Sequence, residues 1–320
     1  MISSSRVGQH YKEVNIVDYL SSRFTYRPAK EWTEFVVEGR ISVNDLVCDS
    51  STLVTQGDSV ACDLPDSPVP PDVNLNYSII YEDEWLLGVN KPSALLVHDK
   101  RRYWQANLIY DIRQNHIPPH PEANLINRLD RNTSGVILLA RNNGMLREMQ
   151  FLFQEKEVNK EYLAVVLGVP EKSKGSISEP IAKLDSLPGV YRFGVDRVNG
   201  KTASTSYEVL ETFQGKYSLL KLCPQTGRTH QLRVHCHSLG HTILGDKLYS
   251  MTDHEYLAWA SLEKPEHEEL INRQALHCLK TSFKHPRLKD LCVIKADLPE
   301  DFKVLFSKLG WENQELLASL

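Results

Sequence analysis

The sequence predicts an α+β protein, in which a large domain on a mostly antiparallel mixed sheet follows a small N-terminal α/β domain. Three observations carry this. Short β-branched and aromatic runs recur from Ile79 to Leu222 with few helical stretches between them. Two helical stretches open the chain instead. Between the two parts, residues 63–75 hold four prolines, a semi-rigid linker. The expected organisation is residues 1–62, linker 63–75, and residues 76–320.

In the first part, Val14, Val17, Leu20 and Phe24 recur at helical spacing. Pro28 suits the first turn of a second helix, whose apolar face carries Trp32, Phe35 and Val36 and which Gly39 ends. Ile41–Val43 and Val60–Cys62 alternate as short strands, with Gln56-Gly57-Asp58 as a turn. Met1–Ser5 is polar and lacks the apolar core of a signal peptide.

After the linker, Ile79–Tyr81 and Trp85–Val89 read as strands. Pro92 stops the second and leaves Lys91 at its end, either contacting substrate or phosphate or lying at the surface of a turn. His98 to Arg102 forms a basic cluster.

The central stretch is Asn127-Arg128-Leu129-Asp130-Arg131-Asn132-Thr133-Ser134-Gly135, followed by the apolar run Val136–Ala140. It reads as a polar loop feeding a buried strand. A carboxylate held on such a loop at a rigid sheet edge is a candidate nucleophile or base. Taken alone, the loop favours Asp130 as an ion-pair partner of Arg128 or Arg131, since such pairs are common and mostly structural. An amphipathic helix then carries Met145, Met149, Leu152 and Phe153, and Lys160–Gly168 is a strand led by Tyr162. Further strands are expected at Ala203–Leu210 and Tyr217–Leu222.

Pro224 to His237 is the second landmark. Thr226 or Thr229 could cap a helix there. On it His230, Arg233 and His237 share one face and Leu232, Cys236 and Leu239 the other, so Arg233 should leave the buried side toward a cleft. His230 and His237 stand two turns apart and His235 points elsewhere, so no metal site is expected.

Composition narrows the classes. The chain has 41% hydrophobic and 24% charged residues, as soluble globular proteins do. Its net charge of -4 argues against indiscriminate nucleic-acid binding but allows a local basic cleft. Six scattered cysteines without a CxxC pair are expected to be reduced. No apolar stretch is long enough to span a bilayer. A cytoplasmic protein is expected.

NRLDRNTSG and TGRTHQLRVH…GHTILGD, with NKPS before them and KEYLAVVLG between them, resemble the RluA-type pseudouridine synthases in order and spacing. The resemblance covers residues 76–290, including Arg273–Cys278 and Lys284-His285-Pro286. It implies isomerisation of uridine to pseudouridine in ribosomal or transfer RNA, a reaction that needs no cofactor. No metal, DNA or membrane partner is expected, and a monomer is the default. Asp130 matches the catalytic aspartate, Tyr162 the tyrosine that packs against the target base, and Arg233 the cation paired with the carboxylate and expected to keep it charged and oriented. Arg128, Thr133, Arg228, His230, Gln231 and Lys91 are the substrate-binding candidates, with Lys100-Arg101-Arg102 for phosphate. The family usually has histidine where this chain has Asn127, which cannot titrate.

Helix, helix, Gly39–Asn44 and Gly57–Val60 resemble the S4-type RNA-binding domain. The second helix departs from it, carrying Glu31, Glu34 and Glu38 beside Lys30 where an RNA-reading helix should be basic. Two other classes compete. One is a non-catalytic RNA-binding or assembly protein of the same fold, which has no need of Asp130, Tyr162 and Arg233 together. The other is a hydrolase that releases free uracil.

Overall fold

The structure, a computed structural model, describes residues 2–9, 11–24, 29–64, 73–98, 105–262 and 270–311. It divides into two compact units: Met1–Pro71 with His98–Tyr110, and Asp72–Val97 with Asp111–Leu320.

The first unit begins with β1 (Ile2–Arg6), β2 (Val14–Asn15), α1 (Ile16–Arg23) and α2 (Ala29–Val37). It continues with β3 (Ile41–Val43), β4 (Leu46–Val47), β5 (Leu53–Val54) and β6 (Ser59–Asp63). Helical spacing puts Ile16, Tyr19 and Leu20 of α1 against Trp32, Phe35 and Val36 of α2 in one core. Asn15 caps α1 by accepting from the Val17 N–H at 2.9 Å. Four of the strands form a sheet of order β1-β6-β3-β4, and β2 pairs with β5. β1 is a departure from the sequence reading: Ile2–Arg6, a largely polar stretch, forms a strand because backbone pairing with β6 does not require apolar side chains. Pro28 and most of the linker lie outside the described residues.

The second unit contains β7 (Ser78–Glu82), β8 (Leu86–Lys91), the part of α3 (Leu108–Gln114) from Asp111 on, β9 (Asn124–Leu125), β10 (Ser134–Ala140) and α4 (Asn143–Gln154). There follow β11 (Asn159–Leu167), β12 (Lys174–Ile177), β13 (Ile181–Lys183), β14 (Phe193–Val195), β15 (Thr205–Phe213) and β16 (Tyr217–Pro224). Last come α5 (Gln231–Ser238), α6 (Lys247–Ser250), α7 (Asp253–Ala260), β17 (Leu276–Lys284), β18 (Leu291–Lys295) and α8 (Glu300–Lys308). The main sheet runs β12-β15-β16-β11-β17-β10-β8-β7, with β18 on β17 and β9 on β10. Its pairings are antiparallel except β10 with β17, which is parallel. The fold is therefore α+β on a mostly antiparallel mixed sheet.

All seven residues of β10 are buried, as expected of a central strand covered on both faces. α4 packs Met145 and Met149 inward and is capped by Asn142, which accepts from the Met145 N–H at 2.9 Å. β8 runs farther than expected, through Lys91 to the stop at Pro92. Among the described residues no helix is long and apolar enough to cross a membrane.

Candidate active site

The site is built where β10 and β17 run side by side. Gly135 lies opposite Cys278 with φ +108°, and a Cβ there would come within 2.1 Å of the Cys278 carbonyl oxygen. Only glycine allows that approach. The loop before it carries Asp130 and is tied down residue by residue. The Asp130 carbonyl accepts from the Thr133 N–H at 3.1 Å. Lys91 Nζ donates to the Arg131 carbonyl at 3.0 Å, and Arg273 Nη1 to the Asn132 carbonyl at 3.1 Å. Thr133 Oγ1 accepts from Gln274 Nε2 at 3.3 Å. Asn127 Oδ1 accepts from the Leu138 N–H at 2.8 Å, giving that amide a structural use.

Arg273 is itself held by Asp301, Nε–Oδ2 at 2.6 Å and Nη2–Oδ1 at 2.9 Å. Lys91 is fully buried and spends its ammonium on three carbonyls, those of Pro92, Leu95 and Arg131, at 2.7, 3.0 and 3.0 Å. Burial first, then the nearby Arg273 charge, pulls its pKa down to about 7. Two buried basic side chains thus grip consecutive carbonyls beside the carboxylate.

Arg233 enters from α5. Its Nε and Nη2 donate to Asp246 Oδ2 and Oδ1 at 2.6 and 2.8 Å, and its Nη1 donates to Asp130 Oδ2 at 3.0 Å. Burial opposes its charge, but the Asp246 bonds and the charges of Asp246 and Asp130 outweigh burial and raise its pKa. The Tyr249 ring lies 5.0 Å from the guanidinium carbon. His230, at the N-cap of α5 with φ 56°, places Nε2 3.9 Å from the same Asp130 oxygen and Nδ1 3.0 Å from the Tyr249 hydroxyl. The Asp130 side chain is 30% exposed, against 8% for Arg233, so the carboxylate opens outward from a buried support. Among the described residues Oδ1 has no hydrogen-bond partner, whereas Oδ2 meets Arg233 and faces His230.

Tyr162 sits on β11 opposite Cys278 of β17 and Leu222 of β16, at a register shift between Glu161 and Tyr162. Gly135, Cys278 and Tyr162 therefore stand in one row across β10, β17 and β11. Tyr162 is buried; burial, with Cys278 and Asp130 adding to it, drives its phenol pKa well above the ordinary value.

Asp130, Arg233 and His230 thus come together, with Tyr162 near enough to sense the charge of Asp130. Other expectations are corrected. Lys91 points inward, because its ammonium finds three carbonyls, and does not offer itself to a phosphate. Thr133 and Gln231 are also buried. Gln231 Oε1 accepts from Thr226 Oγ1 at 2.7 Å and the Arg228 N–H at 3.0 Å, shaping the turn before α5. Neither Thr226 nor Thr229 occupies the cap; His230 does, without a side-chain capping bond. Gln231 to Cys236 of α5 are all buried, Arg233 included, while His237 is exposed, so Arg233 reaches Asp130 from a buried position. Arg128 and Arg228 are exposed, and Arg228 Nε donates to the Thr202 carbonyl at 3.0 Å. Lys100-Arg101-Arg102 lies outside the described residues.

Asp246, Tyr249 and Arg273 escaped the sequence reading. The first and last lie in GHTILGD and RQALHC, whose charged residues were the available signal. Tyr249 had none.

Comparison with known proteins gives the arrangement its context. A family model described as RNA pseudouridylate synthase matches residues 86–238. An RNA pseudouridine synthase of Aquifex aeolicus (strain VF5) is 35% identical over 289 residues, 86% of this chain and 87% of that one. Ribosomal large subunit pseudouridine synthase C of Buchnera aphidicola subsp. Acyrthosiphon pisum (strain APS) is 31% identical over 311 residues, 94% of this chain and 96% of that one. Among solved structures, human RNA Pseudouridylate Synthase Domain Containing 4 is similar with a TM-score of 0.57 at 29% identity, covering 73% of this chain and 93% of that one.

Proposed function

The chain belongs to the RNA pseudouridine synthase family, and we propose that Asp130 is its catalytic carboxylate and large-subunit ribosomal RNA its substrate. The enzyme is an isomerase that converts uridine to pseudouridine in RNA. The bond between uracil N1 and the ribose is broken, the base turns, and it is rejoined through carbon 5. The starting and final nucleosides are isomers, so the net reaction consumes no oxidant, reductant or group donor.

One observation carries the role of Asp130: its two oxygens differ. Oδ2 is anchored by Arg233, and Oδ1 has no partner among the described residues. An anchored carboxylate with one free oxygen can bond to a substrate carbon without losing its orientation. Arg233 compensates the carboxylate charge, and Asp246 fixes the plane of the guanidinium. The Tyr162 ring supplies a flat apolar surface for the uracil. A stacked uridine cannot reach this site, so the target base must be flipped out of its helix. Exposed Arg128 and Arg228 fit contacts to the displaced strand.

The ribosomal assignment draws on relatives named for the large ribosomal subunit. On this reading the enzyme works as a cytoplasmic monomer, and residues 1–62 form an S4-like domain that adds RNA contact.

Nucleotide-resolution pseudouridine mapping tests the proposal, on ribosomal and transfer RNA from cells with and without the gene. Rescue would use wild type or Asp130→Ala. A ribosomal site that disappears and returns only with wild type establishes both parts. A transfer-RNA site replaces the substrate assignment, and rescue by Asp130→Ala rejects the catalytic one.

A further inference from the structure

His230 is the second side chain that faces Asp130, and its surroundings decide which nitrogen bears the proton. The Tyr249 hydroxyl oxygen accepts from the Phe193 N–H at 3.3 Å, and His230 Nδ1 lies 3.0 Å from the same oxygen. Tyr249 is 4% exposed, so its O–H cannot turn to solvent. The acceptor in reach is Nδ1. A neutral imidazole that accepts at Nδ1 carries its hydrogen on Nε2. Nε2 is the atom 3.9 Å from Asp130 Oδ2. Burial pushes the Tyr249 phenol pKa above its ordinary value, so it keeps the hydrogen this arrangement needs.

The backbone aims the ring. His230 adopts φ 56° at the start of α5, a left-handed conformation uncommon for residues other than glycine, asparagine and aspartate. Ring contacts hold it there: Phe193 of β14 at 5.6 Å between centroids and Tyr249 of α6 at 5.9 Å. The charged and titratable groups beside this cluster include Asp130 on its loop, Arg233 and His237 on α5, the latter 5.9 Å from the Tyr249 ring, Asp246 at the cap of α6, and Arg192, which lies 5.9 Å from the Tyr249 ring and pairs with Asp253. Tyr249 therefore touches both residues that address Asp130, Arg233 through its ring and His230 through its hydroxyl.

We propose that His230 is a positioning residue for the isomerisation: Tyr249 fixes its tautomer, and it presents Nε2–H to Asp130 Oδ2 so that Oδ1 is the oxygen that meets the substrate. The proposal rests on Asp130 as the catalytic carboxylate. At 3.9 Å the pair is about an ångström longer than a hydrogen bond. Substrate binding closes that gap, as catalytic hydrogen bonds commonly tighten in the bound complex. His230 gives up no proton; it holds the carboxylate while Oδ1 reacts.

The Tyr249 hydroxyl sets this tautomer, and Tyr249→Phe removes it while keeping the ring beside Arg233. Tyr249→Phe should therefore lose kcat with KM unchanged.

The experiment is pseudouridylation of an in vitro large-subunit ribosomal RNA transcript at one fixed pH, with kcat and KM measured separately. The enzymes are wild type, Tyr249→Phe, His230→Asn, His230→Gln and Asp130→Ala, each checked for folding by thermal melting. Tyr249→Phe should fall about tenfold in kcat with KM unchanged. His230→Asn tolerates the left-handed backbone but is too short, and should be slow. His230→Gln, a longer neutral donor, should recover part of the loss. Tyr249→Phe at the wild-type rate, or His230 variants that change KM alone, would overturn the proposal. If Tyr249→Phe does not fold, the two His230 variants decide. Activity in Asp130→Ala would instead sink the functional reading on which the proposal stands.

Discussion

Arg233 grips Asp246 with two parallel hydrogen bonds, 2.6 and 2.8 Å, and keeps its third nitrogen for Asp130 at 3.0 Å. The two aspartates have different surroundings: Asp246 is 1% exposed and Asp130 30%. The buried one sets the guanidinium plane so that the open one can be held by a single bond. Asp246→Asn preserves shape and the cap of α6 but turns an NH2 toward the guanidinium. We expect kcat to drop about a hundredfold and folding stability to fall by about 3 kcal/mol, the scale for breaking a buried pair. Arg233→Ala should cripple turnover, and Arg233→Lys should resemble it, since a lysine cannot span both carboxylates in one plane. Single-turnover rates and urea melts check this. An Asp246→Asn enzyme at wild-type rate would show that Asp130 needs no such frame.

Gly135→Ala tests the row Gly135–Cys278–Tyr162. The methyl would meet backbone, not a yielding side chain, at 2.1 Å, and φ +108° is strained for alanine. A loss of at least ~3 kcal/mol is expected, with poor expression at 37 °C. A variant melting within two degrees of wild type would mean that β10 can shift away from β17.

Much of this was legible beforehand because it is local. The run Val136–Ala140 could only be a buried strand, and apolar spacing placed α1, α2 and α4. Asp130 and Arg233 were recoverable, through resemblance, because both sit inside compact motifs. What stayed hidden was the second partner of Arg233. Periodicity, which sees one helix at a time, turns Arg233 toward a cleft; Asp246, brought in by folding, joins the Asp130 pair that the resemblance implies and makes burial of the guanidinium tolerable. Lys91 misled for the same reason: a lysine after a strand reads as exposed until the carbonyls of Leu95 and Arg131 fold around it. β1 was invisible because a polar strand carries no hydropathy signal.

Tyr162 divides into ring and hydroxyl. With its phenol pKa raised by burial and by Cys278, it stays protonated across neutral pH, so no limb of the pH–rate profile should belong to it. The ring is the part suited to pack on uracil. Tyr162→Leu should therefore lose at least ~10-fold more kcat than Tyr162→Phe. Equal losses would assign the essential contribution to the hydroxyl.

Lys91 yields a stability signature whose sign follows from its depressed pKa. The ordinary lysine value is 10.5 and the folded value about 7. Between these limits the unfolded chain holds a proton that the folded chain has released, so stability rises with pH across the window. The contribution is fully present above 10.5 and is lost as pH falls through about 7. Lys91→Met removes the titration, and it also leaves the Pro92, Leu95 and Arg131 carbonyls without their donor. The variant should be less stable throughout, and the gap from wild type should widen from pH 7 to pH 10. Urea melts at intervals across that range measure the gap. A constant or shrinking gap would show that the three carbonyls hold Lys91 charged through the whole range, with the ammonium a fixed strut of the Asp130 loop.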